Sequence, residues 1–195
     1  MKKLQWDKVR VLVANYCNYK CPFCHNEGQD KTTTKERMSL QSFRRLVDIL
    51  SNQPISEFNI SGGEPFLNED IVDMILYIND NLDCDISCAT NLSLIKPEHI
   101  SVLSGTRIKF NIQFPFATAE AFKQSTVTGN LDRILTNIDL LCAENIQVGL
   151  NTVVQSDDFS SISTLIDFAL ERGLPLKLLP QIGLSGSNQF LNHIR

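Results

Sequence analysis

The chain has 195 residues, 43% of them hydrophobic and 21% charged, with a net charge of −4. That is the balance of an ordinary globular domain with a buried core, and with no strongly basic block it argues against nucleic acid as a partner. No run approaches the roughly 18 apolar residues of a membrane span. Lys2 and Lys3 are followed by Asp7, Lys8 and Arg10 rather than by the apolar core of a signal peptide, so the reading is a cytoplasmic protein without a membrane partner.

Two hydrophobic periods alternate along the chain. Lys8–Asn15 is valine-rich and reads as a strand. Leu40, Phe43, Val47 and Leu50 then recur at helical spacing, with Ser39 as N-cap. Glu57–Ser61 is a short strand running into Gly62-Gly63, and a helix capped by Asn68 starts near Glu69. Asp85–Thr90 is a strand, and Pro97–Leu103 is a short helix closed by Gly105. Ile108–Phe114 is a strand, Asn130–Glu144 a helix with Asn145 as its left-handed cap, and Gln147–Val154 a strand. Asp158–Arg172 is a helix ended by Gly173, and Pro175–Leu179 is a sixth strand. Gly183, Gly186 and Ser187 form a loop, and Phe190–Arg195 reads as a helix start. The chain is thus expected to be one domain over 1–195 that stops short at its C-terminus. The order βαβαβαβαβαβ implies parallel strands, an α/β fold, and either a doubly wound sheet or an incomplete barrel. In both, ligands collect at the carboxyl ends of the strands.

Three of six cysteines crowd into Cys17-Asn18-Tyr19-Lys20-Cys21-Pro22-Phe23-Cys24, directly after the first strand. A C-x₃-C-x₂-C loop can curl three thiolates around one metal core, as iron–sulfur clusters require. Three ligands on a four-iron cube leave one iron open to a chelating ligand. A structural zinc site is the alternative, although zinc prefers four ligands in two separated pairs and no second pair is evident. Chance clustering of buried thiols is the third reading. Cys84, Cys88 and Cys142 match no cluster motif and read as ordinary buried cysteines.

The cysteine spacing, with an aromatic just before the last cysteine, resembles the signature of the radical S-adenosylmethionine (SAM) superfamily. Ser61-Gly62-Gly63-Glu64-Pro65 is similar to that family's GGE segment after strand two. Cys24-His25-Asn26-Glu27-Gly28, Thr90-Asn91, Gly129–Arg133 and Asn151–Val154 are similar to segments of its molybdenum-cofactor GTP cyclases. The resemblance implies a partial (β/α)6 TIM-like barrel carrying an oxygen-sensitive [4Fe–4S] cluster on Cys17, Cys21 and Cys24, with SAM on the open iron. It implies that Phe23 packs on the adenine, and that Gly62 and Gly63, lacking a Cβ, let main-chain groups meet the SAM ammonium. Glu64 would brace that loop, and Gln113 and Ile182 would touch the cofactor. An external electron donor would reduce the cluster, SAM would be cleaved to a 5′-deoxyadenosyl radical, and that radical would abstract hydrogen from substrate.

The substrate is expected to be a small molecule or a peptide. Arg10 stands where the cyclases carry an arginine for the nucleotide, but Asn59 replaces another arginine and Gly149 a lysine. Charge-assisted contacts to a triphosphate are the strong ones, and these departures tilt the reading toward a peptide, with GTP cyclisation as the alternative. A non-catalytic iron–sulfur or zinc sensor is the reading from another class, and the GGE segment weighs against it.

Overall fold

The computed structural model describes residues 8–24, 34–154 and 159–180. Among them are six strands, β1 (Lys8–Leu12), β2 (Glu57–Ser61), β3 (Asp85–Thr90), β4 (Ile108–Gln113), β5 (Gln147–Val154) and β6 (Leu176–Pro180). Six helices join them: α1 (Leu40–Leu50), α2 (Ile71–Asn81), α3 (Pro97–Leu103), α4 (Ala119–Thr126), α5 (Leu131–Ala143) and α6 (Phe159–Glu171). All strand pairs are parallel, and their order in the sheet is the order in the chain. That order decides between the two topologies. A doubly wound sheet reverses direction at a switch point, whereas successive right-handed crossovers in one direction leave every helix on one face and curl the sheet into a barrel arc. The fold is an α/β partial barrel.

Period-two alternation along the strands divides core from site. On the helix-covered face Phe58, Ile60, Ile86, Cys88, Phe110, Ile112 and Leu150 are buried. They meet Phe43 and Val47 of α1, Met74 and Ile78 of α2 and Ile134 and Ile138 of α5 in one core. Each such fully buried side chain stabilises the fold by roughly 1.5–3 kcal/mol. The other face carries Glu57, Asn59, Asn111, Gln113, Asn151 and Lys177, and these line a cavity.

The expected caps hold at several ends. Ser39 accepts from Ser42 N and Asn130 from Arg133 N. Gly105, Gly173 and Asn145 all have positive φ. Three expectations change. The second helix begins at Ile71 with Asp70 at its N-cap, and Asn68 stands before it with two uses: its Oδ1 accepts from Asp70 N (3.1 Å), while its amide donates to Val13 O (3.0 Å) and Met38 O (2.9 Å), tying the exit of β1 to the entry of α1. The first strand stops at Leu12, and the chain beyond it forms an antiparallel bridge from Ala14 to Arg37. Helix α4 was not expected; it is eight residues long and buries few apolar side chains, so its period is faint. The segments 25–28 and 182–195, with the readings made on them, lie outside the described residues. No helix among the described residues is long and apolar enough to cross a membrane.

Candidate active site

The turn after β2 lies directly on the cysteine loop after β1. Gly63 N donates to Ala14 O (2.8 Å) and Glu64 N to Tyr16 O (2.9 Å). A Cβ on Gly62, whose φ is +154°, would stand 2.5 Å from Ala14 O. A Cβ on Gly63 would run into the Tyr16 carbonyl and Cys17 N. The atoms that forbid a side chain here belong to the cysteine loop, so these glycines also allow two backbones to touch.

Glu64 braces the junction from behind. Its carboxylate is fully buried and accepts from Phe66 N (3.0 Å), Thr90 Oγ1 (2.7 Å) and Asn91 N (2.8 Å), joining the β2 turn to the end of β3. Burial pushes its pKa up, and these three donors work against that shift. Asn91 passes the connection on to the cysteines. Its Nδ2 donates to Cys17 Sγ (3.6 Å) and Asn18 Oδ1 (2.9 Å), and Tyr19 N also donates to Cys17 Sγ (3.3 Å). The unexpected α4 and the turn after it anchor the same loop, through Lys20 N to Thr126 O (3.3 Å) and Thr128 Oγ1 to Asn18 O (3.0 Å).

The three thiols share one wall of a cavity of about 520 Å³, together with Phe23, Gly62, Gly63 and Gln113. Burial pushes the Cys17 thiol up to about 11 and the Cys21 thiol up to about 12, and the neighbouring thiols add to the shift. Thiols that resist ionisation by themselves, as Cys17 and Cys21 do, suit a cationic metal core, which binds thiolates and expels their protons. Among the described residues no three His, Cys, Asp or Glu side chains are set to hold a single ion. Three thiols lining one cavity fit three irons of a four-iron cube. Gln113 Nε2 is buried and has no hydrogen-bond partner among the described residues, which leaves a donor for a ligand.

Of the residues singled out from sequence, Cys17, Cys21, Cys24, Phe23, Gly62, Gly63 and Gln113 meet at the cavity; Glu64 lies behind it, and Ile182 lies outside the described residues. Cys84 and Cys88 are buried as expected, but Cys142 is exposed. It sits next to the buried Leu141 on α5, and the helix turns it outward. His99 stacks on Phe66 and accepts from Lys96 N, a structural role. Sequence reasoning gave no role to Asn91, Asn111 or Lys177. The signal available was their place at inward positions of strands or at the end of β3.

A sequence model of the Radical SAM superfamily matches residues 11–169. The chain belongs to the radical SAM superfamily. Enzymes of this superfamily use a [4Fe–4S] cluster and SAM. The chain is similar to a GTP 3′,8-cyclase of Clostridium perfringens, with 27% identity over 187 residues, 94% of this chain and 58% of that protein. A probable GTP 3′,8-cyclase of Thermococcus kodakarensis is 29% identical over 172 residues, 88% of this chain and 55% of the relative. The chain thus spans between half and three-fifths of these relatives. Among solved structures, Streptococcus suis SuiB bound to S-adenosylmethionine superposes with a TM-score of 0.83 at 17% identity, covering 95% of this chain and 43% of SuiB. The enzyme anSMEcpe with bound AdoMet gives 0.76 at 16% identity, covering 90% of this chain and 51% of that one. At those identities the likeness is one of fold, and it agrees with the partial barrel.

Proposed function

We propose that this radical SAM chain is a catalytic core whose substrate is a purine nucleotide. Cys17, Cys21 and Cys24 would hold the [4Fe–4S] cluster, and Phe23, the Gly62-Gly63 turn and Gln113 would hold SAM beside it. When bound, cluster and SAM supply a 5′-deoxyadenosyl radical that takes a hydrogen atom from substrate. The residues of the chain bind, orient and exclude water. Asn91 and Tyr19 N–H groups aim at Cys17 Sγ and stabilise its thiolate. Glu64 holds the glycine turn against the cysteine loop, and the orphaned Gln113 amide is a donor for SAM.

The nucleotide reading rests on similarity to relatives named GTP 3′,8-cyclase over 94% and 88% of the chain. The cavity lining supports it with two cations, Arg10 on β1 and Lys177 on β6. This reverses the tilt toward a peptide that Asn59 and Gly149 suggest. The test is anaerobic incubation with SAM, a strong reductant and ribose-deuterated GTP, GMP or guanosine. Deuterium should appear in 5′-deoxyadenosine with at least one of them. Deuterium transfer from none, while SAM is still cleaved, would sink the nucleotide reading.

A further inference from the structure

Asn59 occupies the middle of β2, paired with Arg10 on β1 and Ser87 on β3, and it lines the cavity. It heads a hydrogen-bonded chain. Asn59 Nδ2 donates to Ser87 Oγ (2.7 Å), and Ser87 Oγ donates to Glu57 Oε1 (2.7 Å). Lys8 Nζ lies 2.9 Å from Glu57 Oε2. The direction of this chain is forced. An ionised carboxylate only accepts, so the single Ser87 proton goes to Glu57, and the Ser87 oxygen must then receive an N–H. Asn59 is therefore held with its amino group toward Ser87 and its carbonyl oxygen away from it. No described residue hydrogen-bonds that Oδ1.

The cavity is thus offered a fixed acceptor, beside Arg10, with the second Nδ2 proton next to it. A hydroxyl satisfies both at once, since it donates and accepts. A phosphate oxygen has no proton to give, and it would face Oδ1 lone pair to lone pair. The wider lining agrees. Gly149, paired with Asn111, contributes no charge, and among the described residues the cations lining the cavity are Arg10, which also donates to Ser61 Oγ (2.8 Å), and Lys177, with the Glu57 carboxylate opposing them. Two cations partly offset by a carboxylate suit the charge of about −2 on a single phosphate better than the larger charge of a triphosphate.

We infer that Asn59, held by Ser87 and Glu57, selects a substrate that presents a hydroxyl and no more than one phosphate: a nucleoside or nucleoside monophosphate. This rests on the nucleotide reading above and narrows it. The experiment is anaerobic equilibrium dialysis of guanosine, GMP and GTP against the full chain, reconstituted with its cluster and saturated with SAM. GMP should bind at least 10-fold tighter than GTP. Asn59→Arg should reverse the order, and Ser87→Ala, which lets the Asn59 amide rotate, should shrink the gap several-fold with iron content unchanged. GTP binding as tightly as GMP to the wild-type chain overturns the inference and leaves the nucleotide reading standing. Binding of none of the three ends both. If Asn59→Arg does not fold, the wild-type ratio and Ser87→Ala decide.

Discussion

The rim of the cavity and its floor are held in different ways. At the rim, main chain touches main chain: Gly63 N meets Ala14 O, Glu64 N meets Tyr16 O, and a Cβ on Gly63 has nowhere to go. On the floor, side chains on separate strands meet: Asn59 and Glu57 of β2 with Ser87 of β3, and Arg10 of β1 with Ser61 of β2. Backbone contacts cannot be traded one residue at a time, so rim changes should break the site outright. Floor contacts can be exchanged while the sheet beneath them persists, so floor changes should retune affinity. The rim suits a cofactor common to a whole superfamily, and the floor suits a substrate that differs among its members.

The sharpest test of the rim is the cysteines themselves. Cys17→Ala, Cys21→Ala or Cys24→Ala should each reduce iron after anaerobic reconstitution to near zero, measured by iron assay and the brown absorbance. Cys84→Ala, Cys88→Ala and Cys142→Ala should keep it, although Cys88→Ala will lower stability because Cys88 is fully buried. Retention of a full cluster by any of the first three would remove that residue from the ligand set.

Gly63 comes next. Its own Cβ would strike Tyr16 and Cys17, so Gly63→Ala should displace the cysteine loop and lose both iron and SAM binding, at an overpacking cost of about 1–3 kcal/mol. A variant that keeps its iron and loses only SAM would show that the two loops do not depend on each other, and the contrast between rim and floor would weaken.

Glu64→Gln is milder. Whichever way the amide turns, its NH₂ faces an N–H or hydroxyl that now donates to a carboxylate oxygen. One buried bond becomes a donor–donor contact, costing roughly 1–3 kcal/mol. Thermal unfolding should shift down while part of the cluster survives reconstitution. An unchanged midpoint would mean that Glu64 is protonated and already donating one hydrogen bond.

Most of this architecture is visible in the sequence, and the exceptions have physical causes. Glu57–Ser61, Asp85–Thr90 and Gln147–Val154 are strands at the expected bounds because β-branched and aromatic residues alternate with polar ones and turn residues flank them. The cysteine loop and the GGE turn were recognisable because chemistry fixes residue type at each position. Strand order was not, since local periodicity carries no information about which strands pair. Helix α4 was hidden by its length, and the bridging by Asn68 because its amide ties β1 to α1 while its oxygen accepts from Asp70 N. The floor was the least legible part. Asn59 looked like a lost arginine, and only the partners Ser87 and Glu57, far along the chain or across a strand, show that it is an oriented acceptor.

The smallest expected effect lies at the base of that floor. The hydrogen bond from Ser87 and then the ion pair with Lys8 hold the Glu57 carboxyl below its ordinary range. A lowered carboxylate stabilises the fold above its unfolded pKa, and that contribution is lost as pH falls through the folded value. Lys8 is mostly exposed and solvent screens the pair, so the whole contribution is below about 1 kcal/mol. Glu57→Gln should therefore be slightly less stable than the wild-type chain at neutral pH, and the difference should vanish in denaturant titrations below the carboxylate range. A difference that persists in acid would mean the carboxylate charge is not its source. The same variant also reaches the cavity. An amide at 57 can donate to Ser87, which releases the Ser87 proton and with it the fixed direction of Asn59. Its preference for GMP over GTP should narrow as that of Ser87→Ala does, and an undiminished preference would show that Asn59 keeps its orientation without the carboxylate.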